Sequence, residues 1–510
     1  MARSANACVW FACAFVAFWT ATASAQSTSS DAVQLPNGRA ELGRLVEDLG
    51  QQISAGRDAA AARSILDAIV DGPALDRLNA DRQAEAFFWA SYAAIFADEP
   101  ERAHALMLRA TDRDPERPVN WSMLFTASVE ADKVRDALLS LIPLVERWPD
   151  QLVRVPESYI PRAIRAARRS PNPDLEVRAL SGLFKLKWHH RYNGEPSDLW
   201  HHLALLLLER GDAEGAREVF RRVADPAMIV RARADRRFDS LRAADPALFD
   251  VAAAAAREIE RTRAIAESER DRIRAVLTFI GSLAANNRCE EALSETERAI
   301  ARTEGPTAED NPYRDGGEYF PWLLDTRADL LRCLGRWDDA VRYRVQAAGL
   351  MQDGEPNVSQ VINLASLYVD LGQPEDALAA IESVGSRRSD YGDLQEQRVR
   401  FEAYAQLGDA EGIRVTLAFI SEHRHDAVGS YQSALLQVGD IDAAAALLIG
   451  RLENPRERAD ALYSIQGFAK QPRTPIEQQG AARRTALIER PDVRAAIERV
   501  GRKESYPFLR

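Results

Sequence analysis

The sequence predicts an all-α solenoid, an array of antiparallel helix pairs in which each pair packs on its neighbours. Three observations lead to this fold class. Residues 118–151 follow residues 84–117 without a gap and repeat their pattern after 34 positions, a period typical of helix-pair arrays. Glycine recurs where the first helix of a pair should end. The chain has 510 residues, and a solenoid escapes the limit of ~250 to 300 residues at which single cores stop growing.

The N-terminal segment 1–25 is predicted to be a secretory signal peptide that is cleaved after Ala25. Arg3 precedes an apolar run over residues 8–19, and small residues at 23–25 provide the cleavage site. The apolar run is shorter than the ~20 residues that a membrane-spanning helix needs. The mature chain is therefore expected to be exported. Its high Ala and Arg content and few cysteines favour the bacterial periplasm over a eukaryotic secretory route.

The predicted domain boundaries follow the repeat pattern. A flexible linker over residues 26–40 leads into an N-terminal superhelix over residues 41–265. A C-terminal superhelix covers residues 266–470, and residues 471–510 are expected to form a capping helix and a basic tail. The turn-rich run 305–317 is the longest predicted loop in the middle of the chain.

The N-terminal superhelix is predicted to hold two clear pairs, residues 84–117 and 118–151. An early pair turns at Gly56, a looser pair covers residues 156–187, and a later pair turns at Gly211. Small residues let the two helices of a pair approach closely, and large residues fill the gaps between pairs. The positions that define these repeats are Ala103, Pro115, Trp121, Ala137, Pro149, Trp200, Ala216 and Phe220.

Residues 231–270 depart from the repeat and lead into an Ala-rich stretch at residues 251–256, where one long helix is expected. That helix would cap one superhelix or join it to the next. The pattern fades after residue 471, and one further helix is expected around residues 493–500, where it would shield the last repeat. The positions that define the C-terminal repeats are Gly335, Ala340, Tyr368, Gly372, Ala377, Gly408 and Gly439.

The order of bulky, small and proline positions in these units resembles the tetratricopeptide repeat, across nine units from Leu42 to Asn454. The resemblance implies a right-handed superhelix whose concave surface is lined by the first helix of each pair and binds peptides or partner helices. Some members hold a C-terminal carboxylate with Lys and Asn at fixed first-helix positions. Phe88 and Tyr92 occupy the first two of these positions here, so this carboxylate clamp is not expected.

Four of the seven histidines form two adjacent pairs, His189-His190 and His201-His202. Imidazole suits zinc or copper, and Glu195 or Asp198 could add an oxygen ligand, so His189, His202, Glu195 and Asp198 are weak metal candidates. Neighbouring residues project to different sides of a helix, which favours histidines of the surface or between repeats. The sequence contains no Gly-x-Ser-x-Gly elbow and no Gly-rich phosphate loop. No catalytic residue and no cofactor is predicted.

The net charge limits the class of partner, and the two remaining cysteines limit the possible disulfides to one. A formal charge of −11 argues against a nucleic acid or an anionic membrane as the partner. Removal of the signal would leave Cys289 and Cys333, 44 positions apart. They could form a disulfide if their Cα atoms lie within about 7 Å. They could equally be two small buried apolar residues.

The leading functional hypothesis is an exported, non-catalytic scaffold that binds a protein of the bacterial cell envelope through its concave surface. Self-association is possible for such a scaffold. A second hypothesis keeps the solenoid but gives it a small envelope ligand, a glycan or a metal, between His189 and Phe249. A third is a hydrolase or lyase on a helical toroid, with His and carboxylate groups assembled from distant repeats.

Overall fold

The computed structural model describes residues 35–56, 59–168, 172–190, 194–303, 312–352, 355–384, 389–425 and 427–510. The predicted signal peptide 1–25 and most of the linker 26–40 lie outside these residues. The described residues divide into two compact units. We call residues 35–188 with 202–219 the N-terminal unit, and residues 189–201 with 220–510 the C-terminal unit. None of the described helices combines the length and the apolar character needed to cross a lipid bilayer.

The N-terminal unit consists of helices that pair in sequence. Short turns join α3 to α4 and α5 to α6, which makes the two helices of each pair antiparallel. A 3₁₀ turn follows α2 at Leu75–Arg77 and another follows α6 at Pro149–Arg154. The division between the units falls at residues of α9 and α10. The helices are α1 (Arg39–Ser54), α2 (Ala59–Val70), α3 (Ala80–Phe96), α4 (Pro100–Arg113), α5 (Pro118–Glu130), α6 (Val134–Glu146), α7 (Tyr159–Ala167), α8 (Pro173–Lys185), α9 (Ser197–Glu209) and α10 (Ala213–Phe220).

The C-terminal unit continues with shorter helices and then with further pairs. Two 3₁₀ turns, Arg236–Phe238 and Pro246–Phe249, separate its first helices. The helices are α11 (Pro226–Ala234), α12 (Asp239–Ala244), α13 (Val251–Ser268), α14 (Ile273–Ala285), α15 (Cys289–Thr303), α16 (Gly316–Cys333), α17 (Trp337–Ala348), α18 (Val358–Asp370), α19 (Pro374–Glu382), α20 (Asp390–Leu407), α21 (Ala410–Glu422), α22 (Val428–Val438), α23 (Ile441–Glu453), α24 (Arg458–Ser464), α25 (Pro475–Glu489) and α26 (Pro491–Val500).

The fold class predicted from the sequence is confirmed, because many of the described helices form pairs with the next helix. These are α3 with α4, α5 with α6, α14 with α15, α16 with α17, α18 with α19, α20 with α21, and α22 with α23. Short strands are a minor addition. Strands β1 (Met351–Gln352) and β2 (Glu355–Pro356) form an antiparallel pair. Strands β3 (Gly467–Phe468) and β4 (Ser505–Tyr506) run parallel within the C-terminal unit. The long helix expected at the Ala-rich stretch 251–256 is α13, and the shorter α11 and α12 and two 3₁₀ turns precede it.

The repeat-defining small residues lie where paired helices touch. Ala103, Ala137, Ala216, Ala340 and Ala377 are at most 1 % exposed. A larger side chain at these positions would force the helices apart, which costs packing energy. The bulky Trp200 and Phe220 are also fully buried. Tyr368 is half-buried, Pro115 is exposed and Pro149 opens a 3₁₀ turn. Trp121 is half-buried and donates a hydrogen bond from its indole to the Pro115 carbonyl at 2.8 Å.

The turn between the two helices of a pair contains one residue with left-handed backbone. Glycine fills this position at Gly335, Gly372, Gly408 and Gly439, with φ between 70° and 84°. Glycine adopts this conformation without a steric penalty from Cβ. Other turns use Asp98 (φ 59°), Asp132 (φ 52°) or Asn287 (φ 57°) instead. Short polar side chains tolerate this region better than other side chains do.

The helix pairs of the C-terminal unit close on themselves. Each helix from α13 to α24 packs on the next, and α24 also packs on α11 at the beginning of the unit. The first helices α14, α16, α18, α20 and α22 contact one another in sequence and form one layer. The array within this unit is therefore a ring, whereas the sequence predicts only an array of pairs.

Residues 466–510, which we call the strap, run back over this ring. The strap contains β3, α25, α26 and β4. The sequence predicts one helix in this segment, and the structure has two. Helix α25 begins with a capping box in which the Thr474 side chain accepts from the Glu477 N–H and the Glu477 carboxylate accepts from the Thr474 N–H. The apolar residues of α26, including Val493 and Ile497, pack in a cluster with α22, α23 and α24.

Candidate protein-binding surfaces

Four aromatic side chains on α3 form a continuous surface in the N-terminal unit. Phe88, Trp89, Tyr92 and Phe96, which we call the aromatic surface, include three residues spaced four apart, so they share one helix face. Their ring centroids are 5.1 Å apart for Phe88 and Trp89, 5.9 Å for Trp89 and Tyr92, and 4.9 Å for Tyr92 and Phe96. Phe96 is 61 % exposed, and the other three are half-buried.

The aromatic surface is held in place by the helices on either side of α3. A Cβ atom at Gly50 of α1 would lie 2.2 Å from the Trp89 ring, so the indole packs directly on the α1 backbone. The Arg117 guanidinium lies 6.0 Å from the Phe88 ring centroid, within cation–π range. Burial raises the pKa of Tyr92, so its phenol stays neutral. The rings are therefore fixed by packing and keep part of their area in contact with water.

The aromatic surface belongs to the layer of first helices. Helix α3 contacts α1 and α5, the first helices of the neighbouring pairs. This layer is the one that the tetratricopeptide resemblance predicts to line the concave surface. Phe88 and Tyr92 stand at two predicted clamp positions, and their apolar rings cannot supply the charge that a carboxylate clamp needs.

Next along the layer of first helices, α5 and α7 are joined by a polar group of three residues. The Arg162 guanidinium pairs with the Glu130 carboxylate at 3.1 Å, and the Tyr159 hydroxyl donates to the same carboxylate. Burial, assisted by Glu130, raises the pKa of Tyr159 well above its usual value. A nearby cavity lined by Ser128 and Ala163 has a volume of about 10 Å³, room for about one water. This site does not accommodate an organic ligand.

The layer of first helices in the C-terminal unit contains charged residues that form ion pairs. Arg398 and Glu402 of α20 form an ion pair at 2.8 Å, and Arg398 also donates to the Ser366 hydroxyl of α18 at 3.1 Å. Burial raises the pKa of Glu402, although Arg398 opposes this effect. On α16, Asp325 accepts from Asn363 at 2.9 Å and pairs with the buried Arg344. The hydrogen bonds from Arg398 to Ser366 and from Asn363 to Asp325 link successive helix pairs, which is a structural role.

The strap lies along the ends of the first helices, at the turns of the C-terminal unit. Along this edge, its contacts extend from the turn after α14 to the first turn of α23. A Cβ atom at Gly335 would lie 3.3 Å from Pro472 of the strap. The hydrogen bonds and ion pairs that fix the strap on this edge join Gln471 to Asn287 (2.7 Å), Glu477 to Arg332 (3.1 Å), Arg483 to the Gln437 carbonyl (3.0 Å) and Arg490 to Asp442 (2.6 Å).

The ring is closed by a polar seam between α11 and the end of the chain. Arg231 pairs with Asp460 of α24 at 2.9 Å and lies over the Tyr463 ring, 3.9 Å from its centroid. Arg233 pairs with Glu504 of the strap at 2.7 Å. The strap residue Gly501 forms an isolated antiparallel bridge with Asp235. The pairing depends on a glycine at 501, because a Cβ atom there would lie 2.4 Å from the Ala234 carbonyl oxygen.

The four weak metal candidates have other partners. The Glu195 carboxylate pairs with Arg222 at 2.7 Å and accepts from the Trp200 indole at 2.7 Å. The His202 Nε2 atom lies 2.6 Å from the Glu176 carboxylate. His189 is exposed, and Asp198 is in the first turn of α9. Within the described ranges, no group of three or more His, Cys, Asp or Glu side chains is placed to hold a metal ion.

The two cysteines outside the predicted signal form a disulfide. Cys289 is the first residue of α15 and Cys333 is the last residue of α16, and their Cα atoms are 6.3 Å apart. The sequence left open whether they pair or are two buried apolar residues. The structure decides for the disulfide, which ties two neighbouring helix pairs together beside the strap.

Comparison with known proteins finds distant structural likeness. No protein-family model matches the chain, and no curated protein sequence does. A tetratricopeptide repeat protein from Parabacteroides merdae is 13% identical over 62% of this chain and 97% of its own, with a TM-score of 0.32. Rap protein complexed with competence and sporulation factor is 16% identical over 80% and 99%, also with 0.32. The Cut9–Hcn1 hetero-tetramer of the APC/C is 11% identical over 90% and 96%, with 0.29.

The assignment of the fold rests on the chain's own repeats, because these likenesses are distant. Helices α3 to α6 repeat with a period of 34 residues, since Asp98 and Asp132 occupy the same left-handed turn position in consecutive pairs. Ala103 and Ala137 occupy the same buried contact position in the same two pairs. The chain therefore has a tetratricopeptide-like, all-α fold of stacked helix pairs.

Proposed function

We propose that this protein is an exported, non-catalytic scaffold that binds another protein of the bacterial cell envelope through the aromatic surface of its N-terminal unit. The single observation that carries the proposal is the half-exposed row of rings on α3, which ends at the 61 % exposed Phe96. Aromatic side chains on a rigid helix lose little conformational entropy on binding and are enriched among binding hot spots. The partner we expect is a protein segment that presents apolar side chains to this row.

We place the binding site in the N-terminal unit because the two layers of first helices differ in what covers them. In the C-terminal unit, the strap already lies along the ends of the first helices. Further along the layer, Arg398 and Glu402 of α20 pair with each other, and Arg398 also bonds to Ser366 of α18. In the N-terminal unit, the row of rings retains exposed area. Burial of that area supplies roughly 25 cal/mol per Å² of driving force for association.

The export part of the proposal is supported by the sequence of residues 1–25 and by the disulfide. Disulfides persist in oxidising compartments such as the periplasm and are rare in the cytosol. The test is to express the full chain in a Gram-negative host, fractionate the cells and sequence the N-terminus of the recovered protein. We expect a periplasmic protein that begins at Gln26. A cytosolic protein that begins at Met1 would contradict the export part alone.

The binding part is tested by crosslinking at a defined position. A photoreactive amino acid replaces Phe96 of the aromatic surface, and in a control variant it replaces Val415, which is 50 % exposed on α21. We expect one envelope protein to be crosslinked from position 96 and not from position 415. The captured protein is then purified, and its affinity for the wild type and for Phe96→Ala and Tyr92→Ala is measured by calorimetry.

The expected loss of affinity is about thirtyfold or more for each aromatic variant, since truncation of a hot-spot residue costs ~2 kcal/mol or more. Val415→Ala should bind like the wild type. Equal affinity of all variants would contradict the aromatic surface as the binding site. Crosslinking from both positions alike would mean nonspecific capture and would contradict the proposal as well.

A further inference from the structure

We propose that the Cys289–Cys333 disulfide is a redox switch that holds the strap on the edge formed by α14, α15 and α16, and that its reduction releases the strap from this edge. This proposal does not depend on the aromatic surface. The disulfide lies at the turn edge of the ring, between the start of α15 and the end of α16. That edge is also where both ends of the strap are seated, one through Gln471 and the other through Arg510.

The first end of the strap rests on the Cys333 side of the disulfide. The Gln471 carboxamide oxygen lies 2.8 Å from the Cys333 sulfur, and its nitrogen donates to the Asn287 side chain at 2.7 Å. One strap residue therefore bridges α16 and the turn before α15. Since the disulfide fixes the distance between these two elements, it also fixes the position of the Gln471 side chain between them.

The second end of the strap rests on the Cys289 side. The Arg510 backbone N–H donates to the Ala285 carbonyl at 2.8 Å, and its guanidinium lies 4.0 Å from the Cys289 sulfur. Cys289 is also the first residue of α15, where the helix dipole is positive. The guanidinium and the dipole favour negative charge on the Cys289 sulfur, against the carboxylates of Glu290 and Glu291 in the same turn, and so assist its departure in thiol exchange.

The strap and the disulfide protect each other. Cys289 is 4 % exposed and Cys333 is 7 % exposed, so an attacking thiolate reaches them only when the strap lifts. Conversely, the positions of Gln471 and Arg510 depend on the distance between α15 and α16, whereas the packing of α26 on α22, α23 and α24 does not. Coupling of this kind is reciprocal, because whatever favours reduction favours release by the same factor.

The chemistry is ordinary thiol–disulfide exchange with a dithiol as the reductant. A thiolate of the dithiol attacks the Cys333 sulfur, the S–S bond breaks, and Cys289 leaves as a thiolate. The second thiol of the reagent then displaces Cys333 and closes to a cyclic disulfide. The protein gains two electrons and, after protonation, two thiols, while the reagent is oxidised to its disulfide.

The first test compares hydrogen exchange in the oxidised and reduced mature chain, 26–510. Dithiothreitol is the probe, and a thiol count confirms full reduction. We expect the amides of the strap, above all those of α25, to exchange about tenfold faster after reduction, while those of α20 and α21 keep their rates. The double variant Cys289→Ser/Cys333→Ser should show the same pattern without reductant. Unchanged strap exchange at full reduction would overturn the proposal, as would equal acceleration of every helix in the unit.

The second test uses the reciprocal effect and a fully oxidised, folded protein. Gln471→Ala removes the side chain that touches Cys333, and Gln479→Ala alters an exposed glutamine on α25 of the same strap as the matched control. The rate of disulfide reduction by dithiothreitol is measured for both variants. We expect about a fivefold or greater increase for Gln471→Ala alone. Equal rates for wild type and both variants would show that the strap does not guard the disulfide.

Discussion

Gly50 shows how a single missing side chain shapes the aromatic surface. It lies on α1, and the Trp89 ring of α3 occupies the space that a Cβ atom would need. Gly43 lies on the same helix, but a Cβ atom there would be 3.7 Å from Arg82, an ordinary contact distance. The Trp89 ring therefore excludes a side chain at Gly50, whereas the structure leaves room for a methyl group at Gly43. Only Gly50 permits the close approach of two first helices.

We expect Gly50→Ala to lower the free energy of unfolding of the N-terminal unit by ~1 to 3 kcal/mol, because the added methyl group overpacks the contact with Trp89. Gly43→Ala is the matched control. It should be neutral or stabilising by up to ~1 kcal/mol, since alanine favours a helix over glycine. Denaturant midpoints measured by hydrogen exchange report each unit separately. Equal destabilisation by both variants would contradict the role assigned to Gly50.

Glu504 makes the stability of the C-terminal unit depend on pH. Burial raises its pKa, but hydrogen bonds from Arg233 and Tyr506 outweigh burial and hold the pKa below its usual value of 4.5. A carboxylate whose pKa is lowered on folding stabilises the folded state above its unfolded pKa. That stabilisation is lost as the pH falls through the lowered value.

We expect Glu504→Gln to destabilise the C-terminal unit by ~1 to 3 kcal/mol at pH 7, since it removes charged hydrogen bonds to Arg233 and Tyr506. The difference from the wild type should shrink as the pH is lowered below 4.5. Glu411→Gln, in an exposed pair with Arg414, is the control and should have little effect. Denaturant titrations at several pH values measure the difference. A constant difference from pH 7 to pH 3 would refute the assignment.

Helix α25 shows what a local signal can predict and what it cannot. Its start could have been predicted, because Thr474-Pro-Ile-Glu477 has the capping-box spacing of Thr and Glu with Pro at the first helical position. The repeat pattern fades here, and the sequence therefore predicts only one helix near residues 493–500. Of the residues of α25, only Leu487 is fully buried. A helix with so small a buried face leaves a weak periodic signal.

We expect Thr474→Ala to destabilise α25 by ~1 kcal/mol, because it removes the side chain that caps the Glu477 N–H. The amides of residues 476–489 should exchange faster, while those of α26 change less. Thr485→Ala on the same helix is the control, since Thr485 is exposed and bonds only to the Ala481 carbonyl within the helix. Identical exchange in α25 for both variants would show that the capping box contributes nothing.

At the scale of the whole C-terminal unit, the ring is closed by charged groups where α11 meets α24 and the strap. Arg231 is 7 % exposed and contributes both an ion pair with Asp460 and a cation–π contact with Tyr463. The contacts between successive helix pairs are mostly apolar, as in the cluster of Ile362, Val399 and Ala403. The stability of this closure should therefore depend on charge substitutions and on ionic strength more than the stability of the other contacts of the ring does.

We expect Arg231→Ala to open the ring at this seam and to cost ~1 to 3 kcal/mol, from the lost packing and the cation–π contact. Hydrogen exchange should accelerate in α11 and α24, while α18 to α20 keep their protection. Arg414→Ala, which alters an exposed pair with Glu411 on α21, is the control and should leave the seam unchanged. Loss of protection spread evenly over the unit would mean that the seam is not an independent point of opening.

The sequence alone determined the helix pairs of this protein, because close contacts between helices require small residues at fixed spacing. Ala103 and Ala137, or Gly335 and Gly372, can be read from one chain since each acts within its own pair. It also indicated Phe88 and Tyr92 as first-helix residues, but not the full aromatic surface with its exposed end at Phe96. That surface depends on which parts of each ring the neighbouring helices cover.

Only the tertiary structure determined that the cysteines pair, that the C-terminal unit closes into a ring and where the strap lies on it. Cys289 meets Cys333, Arg231 meets Asp460 and Gln471 meets Asn287 across 44, 229 and 184 positions of the chain. Such contacts depend on the small rotation between successive helix pairs, summed over the array. No local pattern encodes that sum, so the sequence specified the repeating unit and the stacking of the units specified where distant residues meet.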